Sequence, residues 1–196
     1  NAGGNLDISN GVSMHLRPLI LRGGTITGPA VMSSTANVQT WGTYNLDTGL
    51  TAGGVAETSI ISAMGGTVSH AGGTIFNVLS GATNGTDLLV SGSLVNLFST
   101  GVIKTGNGVM VLSATNTYTG ITQVQDGILR AGSTQAFGVN TAVTLSNRAG
   151  VRLDLAGFNN TVGSISGGGA LGGNITLGSG NLTLGADSGT GSFGGV

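Results

Sequence analysis

The chain has 196 residues, a net charge of −1, 7% charged residues, 39 glycines, two prolines and no cysteine. Its 39% hydrophobic content argues against disorder, its two prolines exclude collagen, and its lack of basic excess argues against nucleic-acid binding. No apolar run reaches the roughly 20 residues that a membrane-spanning helix needs.

Short strand patterns follow one another along the chain, and glycine interrupts any longer helical periodicity. Each pattern is bounded by Gly, Asn, Ser or Asp, which are turn-forming residues. The chain is therefore predicted to be all-β. The predicted strands lie at 5–8, 24–27, 66–69, 73–79, 87–90, 93–98, 108–113, 142–146, 150–156, 174–177 and 181–184.

Two all-β architectures are compatible with this pattern, an antiparallel sandwich or barrel and a parallel β-helix. Aromatic residues are only 4%, and the outward positions are mostly Thr, Ser, Asn and Gly. Neutral side chains suit a solenoid, because each residue stacks on its counterpart in the next coil and like charges there would repel. We favour a parallel β-helix. Coils of roughly 20 to 25 residues would give about eight to ten coils.

One stretch, GVIKTGNGVMVLSATNTYTGITQVQDGILRAG at residues 101–132, resembles the autotransporter-associated β-strand repeat. It departs from the repeat at Met110, Ala114 and Ile121, where Leu, Gly and Gly are usual. The matching positions are Lys104, Gly106, Gly108, Leu112, Ser113, Asn116, Thr117, Tyr118, Thr119, Gly120, Thr122, Val124, Gly127, Leu129 and Gly132.

The resemblance implies a right-handed parallel β-helix in the passenger of a bacterial type V secretion protein or another giant surface protein. It implies an extracellular or cell-surface location, and an outer-membrane translocator domain outside this chain. The repeat has a structural role and no defined catalytic residues. We expect residues 1–196 to be a single β-helical segment of a longer passenger.

The acidic residues are spread along the chain instead of converging on one site. Carbohydrate-cleaving β-helices need two or three carboxylates on one face. His15 and His70 lack zinc-ligand spacing, and GGGALG at 167–172 is followed by a strand pattern where a dinucleotide site needs a helix. We expect no enzyme activity, no metal and no cofactor. The acids are Asp7, Asp47, Glu57, Asp87, Asp126, Asp154 and Asp187.

A dense charge group lies between residues 126 and 154, and its pairing depends on coil length. A 22-residue coil would stack Asp126 on Arg148 but Arg130 on Arg152, whereas a 24-residue coil would stack Arg130 on Asp154. Exposed ion pairs contribute at most about 1 kcal/mol, so charge alone cannot choose between these registers.

Strand alternation in the repeat separates inward from outward apolar residues. It places Met110, Leu112, Val124 and Leu129 inside the coil, and the NTYTG segment at 116–120 at a corner. The outward residues form a candidate interaction face, covered by a neighbouring copy or by another part of the chain. Alternatively, they are ordinary exposed β-branched residues. The outward residues are Val109, Val111, Ile121 and Ile128.

The favoured function is a structural stalk that supports adhesion or aggregation. One alternative is a self-assembling extracellular fibre, because neither terminus carries a charged cap and unpaired terminal coils can stack end to end. A second alternative is a carbohydrate-active enzyme on the same scaffold. The expected partners are other copies, contacted laterally or end to end, and a host-surface or carbohydrate ligand.

Overall fold

The computed structural model describes residues 3–7, 14–16, 19–28, 44–46, 49–63, 66–68, 73–96, 100–185, 187 and 189–196. Every regular element in these ranges is a β-strand, and none of the described residues forms a helix that could span a bilayer. The strands are β1 (Asn5–Asp7), β2 (Met14–Leu16), β3 (Leu19–Leu21), β4 (Thr25–Thr27), β5 (Tyr44–Leu46), β6 (Leu50–Gly53), β7 (Ser59–Ile61), β8 (Gly66–Val68), β9 (Thr74–Leu79), β10 (Leu88–Val90), β11 (Leu94–Asn96), β12 (Val102–Thr105), β13 (Val109–Leu112), β14 (Thr122–Val124), β15 (Ile128–Ala131), β16 (Ala142–Leu145), β17 (Arg152–Asp154), β18 (Asn160–Thr161), β19 (Ser164–Gly167), β20 (Asn174–Thr176) and β21 (Leu182–Thr183).

The strands form three parallel sheets that the chain visits in rotation. Sheet 1 has the order β1-β4-β7-β10-β13-β15-β17-β20, sheet 2 the order β2-β5-β8-β11, and sheet 3 the order β3-β6-β9-β12-β14-β16-β19. A further pair, β18 with β21, is also parallel. Since successive strands belong to different sheets and each strand pairs with the next coil, the described chain is a parallel β-solenoid, as predicted.

The strand predictions hold along the chain. Each of the eleven predicted segments contains a strand, although Ile8, Ser69 and residues 97–98 lie outside the described residues. The strands without a prediction include β12 and β15, whose sequences VIKT and ILRA carry a basic residue. A charge inside a short apolar run weakens the pattern from which strands are predicted.

Coil length varies more than the sequence suggested. Ile26 pairs with Ile61, which is 35 residues later, whereas Met110 pairs with Leu129, only 19 residues later. The eight strands of sheet 1 are joined by seven coil steps, so the predicted eight to ten coils is slightly too high. The reason is that two steps, from β4 to β7 and from β7 to β10, span 35 and 29 residues, which is longer than the assumed 20 to 25.

The interior is a continuous apolar core built from alternate strand positions. Met110, Leu112, Val124 and Leu129 are all fully buried, which confirms the inward assignment. Met110 stacks between Leu88 of the preceding coil and Leu129 of the next. Full burial of each such side chain contributes about 1.5–3 kcal/mol, so the stack stabilises the coils against one another.

Neutral polar ladders cover part of the outer surface, as the composition predicted. On sheet 3, Asn77 Nδ2 donates to Thr51 Oγ1 at 3.4 Å, and Thr105 Oγ1 donates to Asn77 Oδ1 at 3.5 Å. These three residues are register partners in consecutive coils. Such pairs form without the repulsion that stacked charges would cause.

The corner between sheet 3 and sheet 1 is too tight for side chains. Gly127 has a φ of +66°, and a Cβ there would lie 2.5 Å from the carbonyl oxygens of Gly106 and Gly108. Only glycine combines this backbone conformation with so close an approach. The glycine therefore permits the coils to stack at this corner.

Candidate interaction face and interior polar network

Three of the four predicted outward residues lie together on sheet 1. Val109 and Val111 are in β13, and Val109 pairs with Ile128 of β15 in the next coil. All three are half-buried, with their side chains on the outer side of the sheet. Ile121 is 54% exposed but directly precedes β14 of sheet 3. The structure therefore separates Ile121 from the other three.

Two further residues extend this face, and alternation within the repeat does not reveal them. Ile60 pairs with Leu89, and Leu89 pairs with Val111, so the three side chains form a column across three coils. The coil register supplies this column, and the register cannot be derived from a sequence with unequal coils. We call Ile60, Leu89, Val109, Val111 and Ile128 the outer stripe.

The loop before β10 forms a wall along the outer stripe. Thr58 Oγ1 donates to the Thr86 carbonyl at 2.8 Å, and Asn84 Nδ2 donates to Thr58 Oγ1 at 2.8 Å. These contacts leave a groove of about 250 Å³ beside Ile60, Leu89 and Val111. The stripe is thus a shallow apolar channel with a polar edge.

Ile121 belongs to a second apolar patch on sheet 3. Ile75 is 41% exposed and pairs with Ile103 in the next coil. Val102 pairs with Thr122, so Ile121 lies opposite Gly101 in the same register. The outward apolar residues of the repeat therefore serve two faces of the solenoid.

Both opposite-charge pairs of the basic and acidic cluster form at once. Arg130 Nε lies 2.8 Å from Asp154 Oδ2, and Arg148 Nη1 lies 3.7 Å from Asp126 Oδ2. With a single coil length, only one of the two pairs could form. Arg130 and Asp154 are register partners 24 residues apart, whereas Asp126 and Arg148 are 22 residues apart and lie in turns outside the strands.

The ion pair with Arg130 holds Asp154 in its charged form. Partial burial alone would raise the pKa of Asp154, but hydrogen bonds from Arg130, the Ala156 amide and Thr176 lower it overall. The Thr176 hydroxyl donates from the next coil at 3.1 Å. Asp154 therefore connects three successive coils on the outer surface.

Lys104 is wholly buried, which its charge did not suggest. Its ammonium donates to the carbonyls of Thr105 at 2.9 Å, Gly106 at 2.6 Å and Asp126 at 3.0 Å. Burial lowers the pKa of Lys104 to about 8, against the opposing attraction of the Asp126 and Asp87 carboxylates. The three donors of the ammonium match three carbonyls that the tight corner leaves unpaired.

Asp87 has the complementary role at the same corner. Its Oδ1 accepts hydrogen bonds from the Gly81 and Ala82 amides at 2.7 and 2.8 Å, and its Oδ2 accepts one from the Val109 amide at 2.8 Å. The carboxylate is 3% exposed. Asp87 therefore satisfies donors of two coils.

Two asparagines occupy the interior beyond β11, the last strand of sheet 2. Asn116 Oδ1 accepts from the Leu94 amide at 2.7 Å, and Asn116 Nδ2 donates to the Ala136 carbonyl at 2.6 Å. In the coil that follows Ala136, Asn160 Oδ1 accepts a hydrogen bond from the Ala136 amide at 2.8 Å. Each asparagine thus joins its own coil to a neighbour through a side chain.

The NTYTG segment lies partly inside the solenoid. Tyr118 is fully buried, and its hydroxyl shares a 2.9 Å hydrogen bond with Thr122 Oγ1. Burial raises the pKa of the Tyr118 hydroxyl, and the Thr122 hydrogen bond opposes this only in part. The segment turns the chain and also fills the core with its aromatic ring.

The remaining predicted acids and histidines form no shared site in the described ranges. No group of three or more His, Cys, Asp or Glu that could hold a metal occurs among these residues. Asp187 Oδ2 accepts from Ser164 Oγ at 2.7 Å, and this bond with that from the Gly189 amide lowers the pKa of Asp187. Asp47 and His70 lie outside the described residues.

The described chain is a parallel β-solenoid, and one stretch of it matches a known repeat. Residues 102–131 match the passenger-associated-transport-repeat, and they run from the first residue of β12 to the last residue of β15. This stretch is therefore an autotransporter passenger repeat, as the resemblance of residues 101–132 predicted.

The chain is also similar to the adhesin BmaC autotransporter of Brucella suis biovar 1 (strain 1330). The two are 46% identical over 125 residues, which cover 58% of this chain and 4% of BmaC. The chain thus spans a small part of the length of that relative. No solved structure matches the chain.

Proposed function

We propose that this chain is part of the surface-exposed passenger of a bacterial autotransporter, where it acts as a stalk that supports adhesion. The observation that carries the proposal is the unbroken eight-stranded parallel sheet with the passenger repeat at β12–β15. The printed name of the similar BmaC protein, an adhesin, supports the adhesive part. The repeat supports a surface or secreted location.

The side chains that could do chemistry support a scaffold role. Asp87 is bonded to backbone amides, while Asp126 and Asp154 are paired with arginines. A catalytic carboxylate must reach a substrate, whereas these groups hold coils together. We propose a non-enzymatic function for the segment.

The test is an in-frame deletion of residues 1–196 from the passenger in the bacterium that produces it. We expect reduced attachment to host cells or reduced aggregation, because the adhesive region would stand closer to the membrane. An epitope tag placed in the passenger outside residues 1–196, and present in both strains, is the control and reports surface display. Undiminished attachment with normal display would contradict the proposal.

Lateral self-association is a second candidate, favoured by the outer stripe. Its five apolar side chains lie on one flat sheet face, which a second copy of the chain would cover.

Replacement of Val109, Val111 and Ile128 with Thr tests the lateral contact. Assembly, followed by light scattering against protein concentration, is expected to fall because apolar burial is lost. The matched control is Ile121→Thr, which alters an equally β-branched outward residue on sheet 3. Unchanged assembly of the triple variant, or an equal loss in the control, would exclude this face.

A further inference from the structure

A groove of about 250 Å³ lies on sheet 1 in the C-terminal half of the solenoid and begins at Ile128, the C-terminal residue of the outer stripe. Its floor consists of Ile128, Arg152 and Asn174, which are register partners in three consecutive coils. Its walls are Gly150 and Val151 of one coil and Leu171 and Gly172 of the next. Two stacked loops, 146–151 and 168–173, thus enclose one arginine.

The second of these loops has a defined shape. Gly169 and Gly172 exchange backbone hydrogen bonds at 2.9 and 3.2 Å, which closes a small hairpin with Leu171 near its tip. The Leu171 amide donates to Asn147 Oδ1 of the first loop at 2.9 Å. A Cβ at Gly172 would lie 1.9 Å from the Arg148 carbonyl oxygen, so the loops pack at backbone distance.

Arg152 differs from the other arginines of this face in having no acidic partner among the described residues. Arg130 is paired with Asp154 and Arg148 with Asp126. The Nε atom of Arg152 is buried and has no acceptor. A guanidinium is always charged and presents a fork of donors, so a buried Nε–H without an acceptor is an unmet hydrogen bond.

We propose that this groove binds a carboxylate-bearing sugar unit. A carboxylate accepts two parallel hydrogen bonds from the two terminal Nη groups of Arg152, whose Nε is buried behind them. The aliphatic side chains of Ile128 and Leu171 offer contact to the apolar side of a ring, and Asn174 offers an amide. A cavity below about 300 Å³ suits a single ring rather than a drug-sized molecule or a folded partner.

This proposal goes beyond the stalk function and does not depend on it. The carboxylate of the ligand would give Arg152 the acidic partner that the described residues do not supply. The sheet supplies a rigid floor, because its three residues are held by the parallel ladder. The site would occupy the side of the solenoid, where a glycan chain can pass without entering the coil.

The experiment is a titration of the isotope-labelled chain by NMR with glucuronate, glucose and acetate. The Arg152 Nε–H resonance is expected to move with glucuronate, and at least about tenfold more glucose or acetate is expected to be needed for the same shift. Acetate binding as strongly as glucuronate, or no shift with glucuronate, would overturn the assignment to an acidic sugar.

Two variants locate the site. Arg152→Gln is expected to weaken glucuronate binding at least about tenfold, whereas Arg148→Gln, the matched control on the adjacent loop, is expected to change it less than about threefold. Equal losses in both variants would mean general charge attraction and refute the site. Since the wild-type Nε–H resonance reports binding directly, a poorly folded variant does not leave the proposal undecided.

Discussion

Lys104 shows how a charged residue can belong to the core of this solenoid. Its ammonium is surrounded by three carbonyls of two adjacent coils, with Asp126 and Asp87 as the nearby acidic charges. These carbonyls lack backbone donors because the glycine-rich turn at this corner is not paired with a strand. In the folded chain, fixed backbone dipoles therefore replace the water around the ammonium. They do not fully compensate for the lost hydration, so the pKa of Lys104 is lowered.

Replacement of Lys104 with Met tests this arrangement. The apolar chain remains, but three buried carbonyls lose their donor, so the free energy of unfolding should fall by about 2–4 kcal/mol. Urea denaturation measures it. Gln123→Met, on the outer side of β14, is the matched control and should change stability by less than about 0.5 kcal/mol. Equal stability of the two variants would contradict the role of Lys104.

The lowered pKa of Lys104 predicts an unusual dependence of stability on alkaline pH. Between pH 8 and 10 the unfolded chain, with a lysine pKa of 10.5, holds a proton that the folded chain has released. The unfolded state therefore binds more protons, and the free energy of unfolding rises with pH by about 2 kcal/mol across this window.

Tyr118 reverses the trend above pH 10. Its folded pKa lies above the ordinary value of 10.0, so the folded chain keeps a proton that the unfolded chain loses, and stability falls. Denaturation midpoints at intervals of half a pH unit measure both limbs. Lys104→Met should abolish the rise and keep the fall, and a rise that persists in this variant would refute the assignment.

At the scale of the element, side chains replace a missing sheet. In the coils after β13 and β15, the chain passes the position of sheet 2 without forming a strand, and Asn116 supplies contacts between coils there. In the next two coils this position holds the two-residue strands β18 and β21, and Asn160, the first residue of β18, adds a side-chain contact to the preceding coil. An amide side chain has both a donor and an acceptor, so it can extend a parallel ladder in the way a backbone group does.

Asn116→Ala is expected to lower the free energy of unfolding by about 1–3 kcal/mol, because the Leu94 amide and the Ala136 carbonyl lose their buried partner. Thermal unfolding measures the change. Asn181→Ala removes an exposed asparagine side chain that bonds Asn159 in the preceding coil, and should cost less than about 0.5 kcal/mol. Similar costs at both positions would argue against an internal ladder.

At the scale of the whole molecule, stability depends on contacts between adjacent coils. A solenoid has no long-range tertiary contacts beyond its neighbours, so its stability is close to a sum of coil and interface terms. Leu129 is fully buried between Met110 and Leu153 in the middle of sheet 1, whereas Leu177 is 42% exposed in the last coil.

This difference predicts unequal effects of the same substitution. Leu129→Ala should destabilise the chain by about 2–5 kcal/mol, because it removes a core side chain that two coils contact. Leu177→Ala should cost less than about 1 kcal/mol, because its side chain contacts fewer atoms. Calorimetry measures both. Comparable losses would mean that the last coil is as well packed as the centre.

The sequence predicted those features that depend on local alternation. The inward positions of Met110, Leu112, Val124 and Leu129 follow from the two-residue period of a strand. Features that depend on the register between coils could not be predicted, because coil steps vary between 19 and 35 residues. The Ile60–Leu89–Val111 column and the two simultaneous ion pairs belong to this second group.

Residues whose chemistry conflicts with their position were also missed. Alternation from Val102 places Lys104 inside, but a charged side chain is almost never fully buried unless paired. The three carbonyls that accept its hydrogen bonds come from two coils, so no local sequence pattern predicts them. Tyr118 was expected at a corner, and its ring instead completes the core.

The unequal coils have a mechanical consequence when the solenoid is pulled along its axis. Hydrogen bonds in the parallel sheets run along the solenoid axis, so tension would open the coils one after another. The 19-residue step between Met110 and Leu129 would release about 65 Å of chain, and the 35-residue step between Ile26 and Ile61 about 120 Å. A force–extension curve would therefore show steps of unequal length, each set by one coil.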